Sequence, residues 1–330
     1  MIDETTLGVR DPKGNWVPDR RCDFGPLFAW PTRPLAIAKW FVTGYVLSWQ
    51  LLFFAVAAVA WFALTPAAET MRSFGPGWIA LVLLRNLGIV VAWYGLWHLQ
   101  LYVRRAQGDR TKFDARFPTA SKRFTFGTQT ADNVFWSLAS GVPVVTAFEV
   151  VGHWLFANGH ITWLRWSEHP GWIVAIMLLV PIWREFHFYA VHRLIHTRVL
   201  YRTVHALHHR NTNPGPWSGL AMHPLEHLGY FSAMAIHFVV PSHPLHLLFN
   251  QFHLLMAPAP GHCGFERVEV GGVGLDTHGY AHYLHHKHFE VNYSDGAVPL
   301  DRWFGSFHDG SPDATARLRA RRSVAAVTGS

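Results

Sequence analysis

The sequence predicts an all-α polytopic membrane helical bundle with a cytoplasmic helical cap that holds a histidine-rich dimetal site. Three observations predict it. Half of the 330 residues are hydrophobic and only 15% are charged, against roughly 25% charged in an ordinary soluble domain. Apolar runs at 35–64, 77–103 and 131–157 each reach the roughly 20 residues that a membrane-spanning helix needs. Finally, 18 of the 23 histidines fall between Arg184 and His288, eight of them in three tight clusters. The 16 Trp and 24 Phe suit a lipid-facing body, because aromatic rings gather at membrane interfaces.

Taken in order, residues 1–34 read as an irregular cytoplasmic arm. It carries Asp3, Glu4, Arg10, Lys13, Arg20, Arg21 and Arg33 without an apolar core, so a cleavable signal peptide is not expected. The run 35–64 is the first span, and the loop 65–76 has one basic residue, Arg72. The span 77–103 returns to a segment at 104–130 with Arg104, Arg105, Arg110, Lys112, Arg116, Lys122 and Arg123. The third span leads to 158–170, where Arg165 is the sole Lys or Arg. Basic residues concentrate in the arm and in 104–130, which places both in the cytoplasm.

The fourth apolar stretch, 171–183, continues into the first histidine cluster. A helix from Gly171 to His196 would rise roughly 39 Å at 1.5 Å per residue, more than the ~30 Å hydrocarbon core. His192 and His196 therefore emerge at the cytoplasmic face, and Pro181 is a candidate kink. Pro241 and Pro244 divide the stretch 226–257, which predicts a helical hairpin or a broken span. Residues 311–330 read as a loosely ordered tail. The domain plan is thus an arm at 1–34, spans and a basic loop at 35–170, the histidine region at 171–310 and the tail.

Several classes are disfavoured. The formal charge of +7 is explained by positive flanks of spans and does not point to nucleic acid. Cys22 and Cys263 form no cluster, so a disulfide framework, an iron–sulfur site and c-type haem lack support. Arg85 and Glu149 lie inside apolar runs. Intramembrane charges are functional candidates, with snorkelling the competing reading for Arg85.

The chemistry lies in His192 and His196, then His205, His208 and His209, then His282, His285 and His286. Helix positions three and four apart share a face, so each cluster points two or three imidazoles one way. Neutral imidazole is a strong ligand for iron, zinc, copper or nickel. Eight converging nitrogens exceed one ordinary centre and imply two metals. The competing reading, separate buried histidines with separate partners, suits a lone histidine better than three neighbouring clusters. A membrane metal transporter would string histidines along a pore, whereas these lie at span ends. A zinc hydrolase lacks HExxH and a nucleophile motif.

The clusters and their flanks resemble the membrane fatty acid hydroxylase/sterol desaturase superfamily. The three clusters match its HxxxH, HxxHH and HxxHH boxes. His223-Pro224-Leu225-Glu226 resembles its HPxE element, and Gly261-His262-Cys263-Gly264 its HSG-type segment. Asn292-Tyr293 and Asp301-Arg302-Trp303-Phe304-Gly305 resemble the elements that follow the last box, with Ser294 where glycine is common. The resemblance covers about 180–310. It implies a catalytic region at 171–310 in which two iron ions use O2 as co-substrate to attack an unactivated C–H bond of a lipid. Because the family's ligand count exceeds eight, it further implies His262 and then His223 as metal ligands, with His253, His278 and His187 behind them. Glu226, Asn292 and Asp301 would aim the ligands, loop support being the competing reading for Asp301. Trp217 is an interfacial anchor or part of a substrate access route. No catalytic residues beyond the metal ligands and no organic cofactor are implied.

Lacking a haem, cysteine-cluster or GxGxxG motif, the chain is expected to need an external ferredoxin-, rubredoxin- or cytochrome b5-type donor with its reductase. The flanks HRLIH, GLAMHPLEH and HYLHHKHFEVNY resemble sterol-desaturase-like members more than fatty acid 2-hydroxylases. A sterol, terpenoid or other bulky lipid is therefore the favoured substrate, and a fatty-acyl or alkylglycerol hydroxylase the alternative. The expected location is the bacterial inner membrane or the endoplasmic reticulum.

Overall fold

The apolar runs of the sequence become long helices. In the computed structural model, which describes residues 7–19, 22, 24–296 and 298–328, α1 (Pro34–Trp40) widens into a π-helical turn at Phe41–Val46. It then bends by 42° into α2 (Trp49–Leu64). Ser48, in an extended conformation, makes the break. The run 35–64 is therefore a bent pair rather than one straight span. The next three segments are long enough to cross a membrane: Pro76–Val103, Gln129–Ala157 and Pro170–Ile195, of 28, 29 and 26 residues. They comprise α3 (Pro76–His98), α4 (Gln129–Trp136) with α5 (Val142–Ala157), and α6 (Pro170–Ile195). π-Helical turns at 99–103 and 137–141 extend α3 and join α4 to α5. The outward faces of α2 and α3 are apolar, Phe62 being 75% and Leu84 63% exposed, as suits a bundle whose solvent is lipid.

After α6 come the short α7 (Arg198–Leu200), α8 (Pro224–Phe231), α9 (Pro244–Met256), α10 (Pro258–Gly261), α11 (Tyr280–His288), α12 (Leu300–Trp303) and α13 (Pro312–Thr328). The stretch 226–257 is indeed broken, since α8 passes through a 3-10 segment at Ser232–Phe238 before α9 begins. Every residue of α9 is buried, and it packs against α2, α5 and α6. A helix buried on every face belongs at the centre of a bundle. Its C-terminal end runs directly into α10 and His262, so the core of the bundle aims part of the histidine cluster.

Three expectations are corrected. The described part of the arm is a hairpin of β1 (Gly8–Arg10) and β2 (Trp16–Pro18), with Trp16 buried against Phe113, Tyr280, Tyr283 and Leu284. Asp3, Glu4, Arg20 and Arg21 lie outside the described residues. The tail forms the 17-residue α13, docked through buried Ala314 and Leu318. Arg85 does not snorkel: it is buried and paired with Glu149. A second hairpin, β3 (Arg267–Val270) and β4 (Val273–Asp276), lies between α10 and α11. The basic segment is likewise built in, with Lys112 fully buried and its Nζ donating to Asp114 O at 2.7 Å and Asn213 Oδ1 at 3.0 Å.

Candidate metal centre

The histidine clusters converge, but they do not divide by cluster. One nitrogen from each of His192, His196, His205, His209 and His285 lies within 4.8 Å of the others. A second group of His208, His262, His282 and His286 meets the same limit. Helix geometry explains the sorting. His192 and His196 are four apart at the end of α6, as are His205 and His209, and each pair shares a face. On α11, His282 and His286 share a face with their Nε2 atoms 3.2 Å apart. His285 lies about 100° round from His286 and so faces the other group.

The nitrogens are spaced as ligands. Two imidazoles bound to one ion at about 2.0–2.1 Å, at right or tetrahedral angles, set their nitrogens about 2.8–3.4 Å apart. The Nε2 pairs His196–His209, His209–His285, His208–His262 and His262–His282 stand at 3.2, 3.1, 3.4 and 2.8 Å. Five outer nitrogens have fixed partners. Nδ1 of His192, His208, His262 and His285 donates to the carbonyls of Tyr293 (2.7 Å), Ala221 (3.3 Å), Pro258 (2.9 Å) and Val291 (2.6 Å). Nδ1 of His205 lies 2.7 Å from Glu226 Oε1. With the proton held on Nδ1, Nε2 presents a lone pair inward, the tautomer a metal ligand requires. Inward-facing lone pairs repel one another, and the buried Nε2 of His205 has no hydrogen-bond partner at all. Both features fit a bound cation.

The electrostatics agree. Burial, with neighbouring imidazoles adding to it, pushes His205, His209, His282, His285 and His286 well below the usual histidine range, and His208 follows. Burial lowers His262 to about 4. These rings are therefore neutral and ready to coordinate at neutral pH. Burial also raises the Glu226 carboxyl well above its ordinary range.

The supporting loop is held by Asp301. Its Oδ1 accepts from Tyr293 N (2.9 Å) and Ser306 Oγ (2.6 Å), and its Oδ2 from Ser294 N (2.8 Å) and Oγ (2.6 Å). Asp301 thereby fixes the Tyr293 carbonyl that receives His192. Asn292, at a φ of +53°, bonds to Ala281 and His308, so its hydrogen bonds shape the loop rather than hold a ligand imidazole. Gly219 serves the second group. A Cβ there would come within 2.6 Å of Pro258 O, the acceptor for His262.

The structure thus brings together nine of the ten candidate ligands. The exception is His223, a correction with a local cause: its Nδ1 accepts from Leu225 N at 3.2 Å and caps α8. His187 bonds to Ser232 Oγ at 2.9 Å, and His278 and His253 lie outside both groups. Trp217 is no interfacial anchor, being buried beside Tyr94. What the sequence could not signal are the carbonyls of Ala221, Pro258, Val291 and Tyr293, because every residue carries one.

A cavity of about 730 Å³ adjoins the centre, within the roughly 300–1,000 Å³ of small-molecule sites. His205, His208, His262 and His282 line it together with Trp49, Phe53, Phe188, Met222 and Tyr230.

Residues 177–306 match the fatty acid hydroxylase family. The chain is 28% identical over 182 residues to a Delta(7)-sterol 5(6)-desaturase of Aspergillus fumigatus, covering 46% of this chain and 56% of that protein. It is 31% identical over 149 residues to lathosterol oxidase of Rattus norvegicus (42% and 47%). To a cholesterol 25-hydroxylase-like protein of Danio rerio it is 29% identical over 161 residues (43% and 60%). The chain therefore spans about half the length of the curated relatives it matches. No solved structure matches it.

Proposed function

We propose that the chain is a member of the membrane fatty acid hydroxylase/sterol desaturase superfamily and an oxidoreductase that hydroxylates or desaturates a membrane lipid, using two iron ions and O2. The carrying observation is the pair of converging neutral imidazole groups beside a cavity that Phe53, Phe188, Met222 and Tyr230 help to line. His192, His196, His205, His209 and His285 would hold one ion; His208, His262, His282 and His286 would hold the other. Iron bound there would supply the redox chemistry that zinc lacks and with it the attack of O2 on a C–H bond.

The chain's own residues set the conditions for that attack. The aromatic wall of Phe53, Phe188 and Tyr230 orients a rigid apolar substrate and excludes water. Glu226 and the Asp301-braced loop keep His205 and His192 in register. The names of the relatives favour a sterol or related bulky lipid over a free fatty acid. They include both a desaturase and a hydroxylase-like protein, so the two outcomes are separated by product analysis. Substrate enters laterally from the bilayer, the centre faces the cytoplasm, and electrons come from an external ferredoxin-, rubredoxin- or cytochrome b5-type donor. The transporter reading loses ground, because the imidazoles gather at one depth instead of along the spans.

The test is metal analysis of the purified protein, O2 consumption with and without such a donor, and lipid analysis of a host with and without the gene. About two iron ions per chain, donor-dependent turnover and an altered sterol or terpenoid are expected. Iron-free protein that transports metal would overturn the reading, and changes confined to acyl chains would overturn the substrate.

A further inference from the structure

His253 lies on the buried central helix α9 and lines the cavity beside the histidine groups. Both of its ring nitrogens are buried without a hydrogen-bond partner. Its ring is held edge-on by Phe53 at 5.2 Å and Phe249 at 6.2 Å, so it is fixed rather than free to turn toward a partner elsewhere. Gln50 lines the same cavity, and its buried Oε1 also lacks a partner. Gln50 precedes Phe53 by three residues on α2, and so shares the helix face that meets His253. Three other polar groups of the lining have protein partners. Trp49 Nε1 donates to Asp276 O (3.2 Å), Tyr45 OH to Leu178 O (2.6 Å) and Tyr230 OH to Leu254 O (2.9 Å).

A buried polar atom without a partner costs stability comparable to a lost hydrogen bond. Two such residues on facing helices, packed beside Phe53 and Phe249, mark a place for a ligand group. A neutral imidazole offers one donor and one acceptor, and the Gln50 oxygen one acceptor. The complement is a group that both donates and accepts, which is a hydroxyl.

We propose that His253, with Gln50, is the subsite that recognises a single hydroxyl on an otherwise apolar polycyclic lipid. The proposal rests on reading the cavity as the lipid site, but its test requires no turnover. The purified full-length protein in lipid nanodiscs is titrated with cholesterol and with cholest-5-ene, which lacks the hydroxyl, and binding is followed by displacement of a radiolabelled sterol. Wild type should favour the alcohol by about tenfold, the scale of one satisfied buried polar group. His253→Phe keeps the ring packing and should bind both probes equally, with affinity for the hydrocarbon unchanged. His253→Gln should keep part of the preference, and Gln50→Leu, which leaves α9 intact, should reduce it. Equal affinity in wild type, no binding of the alcohol, or full preference in His253→Phe and Gln50→Leu would overturn the proposal. Metal content is measured on the same samples. Iron-free protein that still prefers the alcohol would sink the oxygenase reading and leave this subsite standing. Iron-loaded protein without the preference would do the reverse.

Discussion

Two buried polar clusters sit in this bundle, and they differ in whether the charges and dipoles answer one another. Between α3, α5 and α9, the Arg85 guanidinium pairs with Glu149, whose Oε2 accepts from Asn86 (2.9 Å) and Gln251 (2.8 Å). His153 lies 3.2 Å from its Oε1, and Asn86 donates to Thr146 Oγ1 at 3.1 Å. Cation meets anion and donor meets acceptor. In the histidine centre, acceptor nitrogens face acceptor nitrogens at 2.8–3.4 Å, and the partners that would balance them lie only on the outer side of the rings. In the first cluster the charges are paired, with His153 Nδ1 and Gln251 Oε1 left over, and it ties helices together. The second is arranged as a cation site would be. An ionisable residue inside a membrane helix is therefore a weaker sign of chemistry than like groups converging on one point.

The contrast breaks most visibly at the ligands. His285→Ala or His208→Ala should remove at least one metal per chain and abolish turnover, read by metal analysis and product formation. His98→Ala and His169→Ala should leave metal content unchanged. Full activity and both metals in either ligand variant would refute the assignment.

In the spans the opposite pattern is expected. Glu149→Leu strands a buried guanidinium and should destabilise the fold by about 3–5 kcal/mol. Arg85→Leu combined with Glu149→Leu should recover much of that loss, measured by denaturation in detergent. Metal bound per folded molecule should stay at the wild-type level in the double variant. If it falls in proportion to the ligand variants, the network belongs to the site.

A smaller effect sharpens the boundary between ligand and support. Glu226→Ala removes the carboxyl group at His205 Nδ1 and should lower metal affinity by about 10–100-fold without removing a ligand. Glu226→Gln keeps an acceptor oxygen and should lose less. Competition with a chelator measures both, and equal losses would mean that holding the His205 ring is not what Glu226 contributes.

Much of this was legible in the chain. Apolar run lengths located the spans, and three- and four-residue spacing identified the histidines that share a face. The resemblance added His262, which the spacing alone would have left isolated. His223 misled, because a histidine beside a helix start can cap it through Nδ1, a local role that its neighbours in sequence do not reveal. Arg85 misled for a different reason: snorkelling and pairing depend on whether an anion 64 residues later meets it.

The sequence by itself determined that this is a helical membrane protein with imidazoles enough for two metals, since hydropathy and helical spacing act over a few residues. Tertiary structure alone decided how five and four histidines are shared out, which carbonyls hold their protons, and that His253 and Gln50 face one cavity. Those outcomes depend on how α2, α6, α9 and α11 pack, and packing joins residues that no local pattern connects.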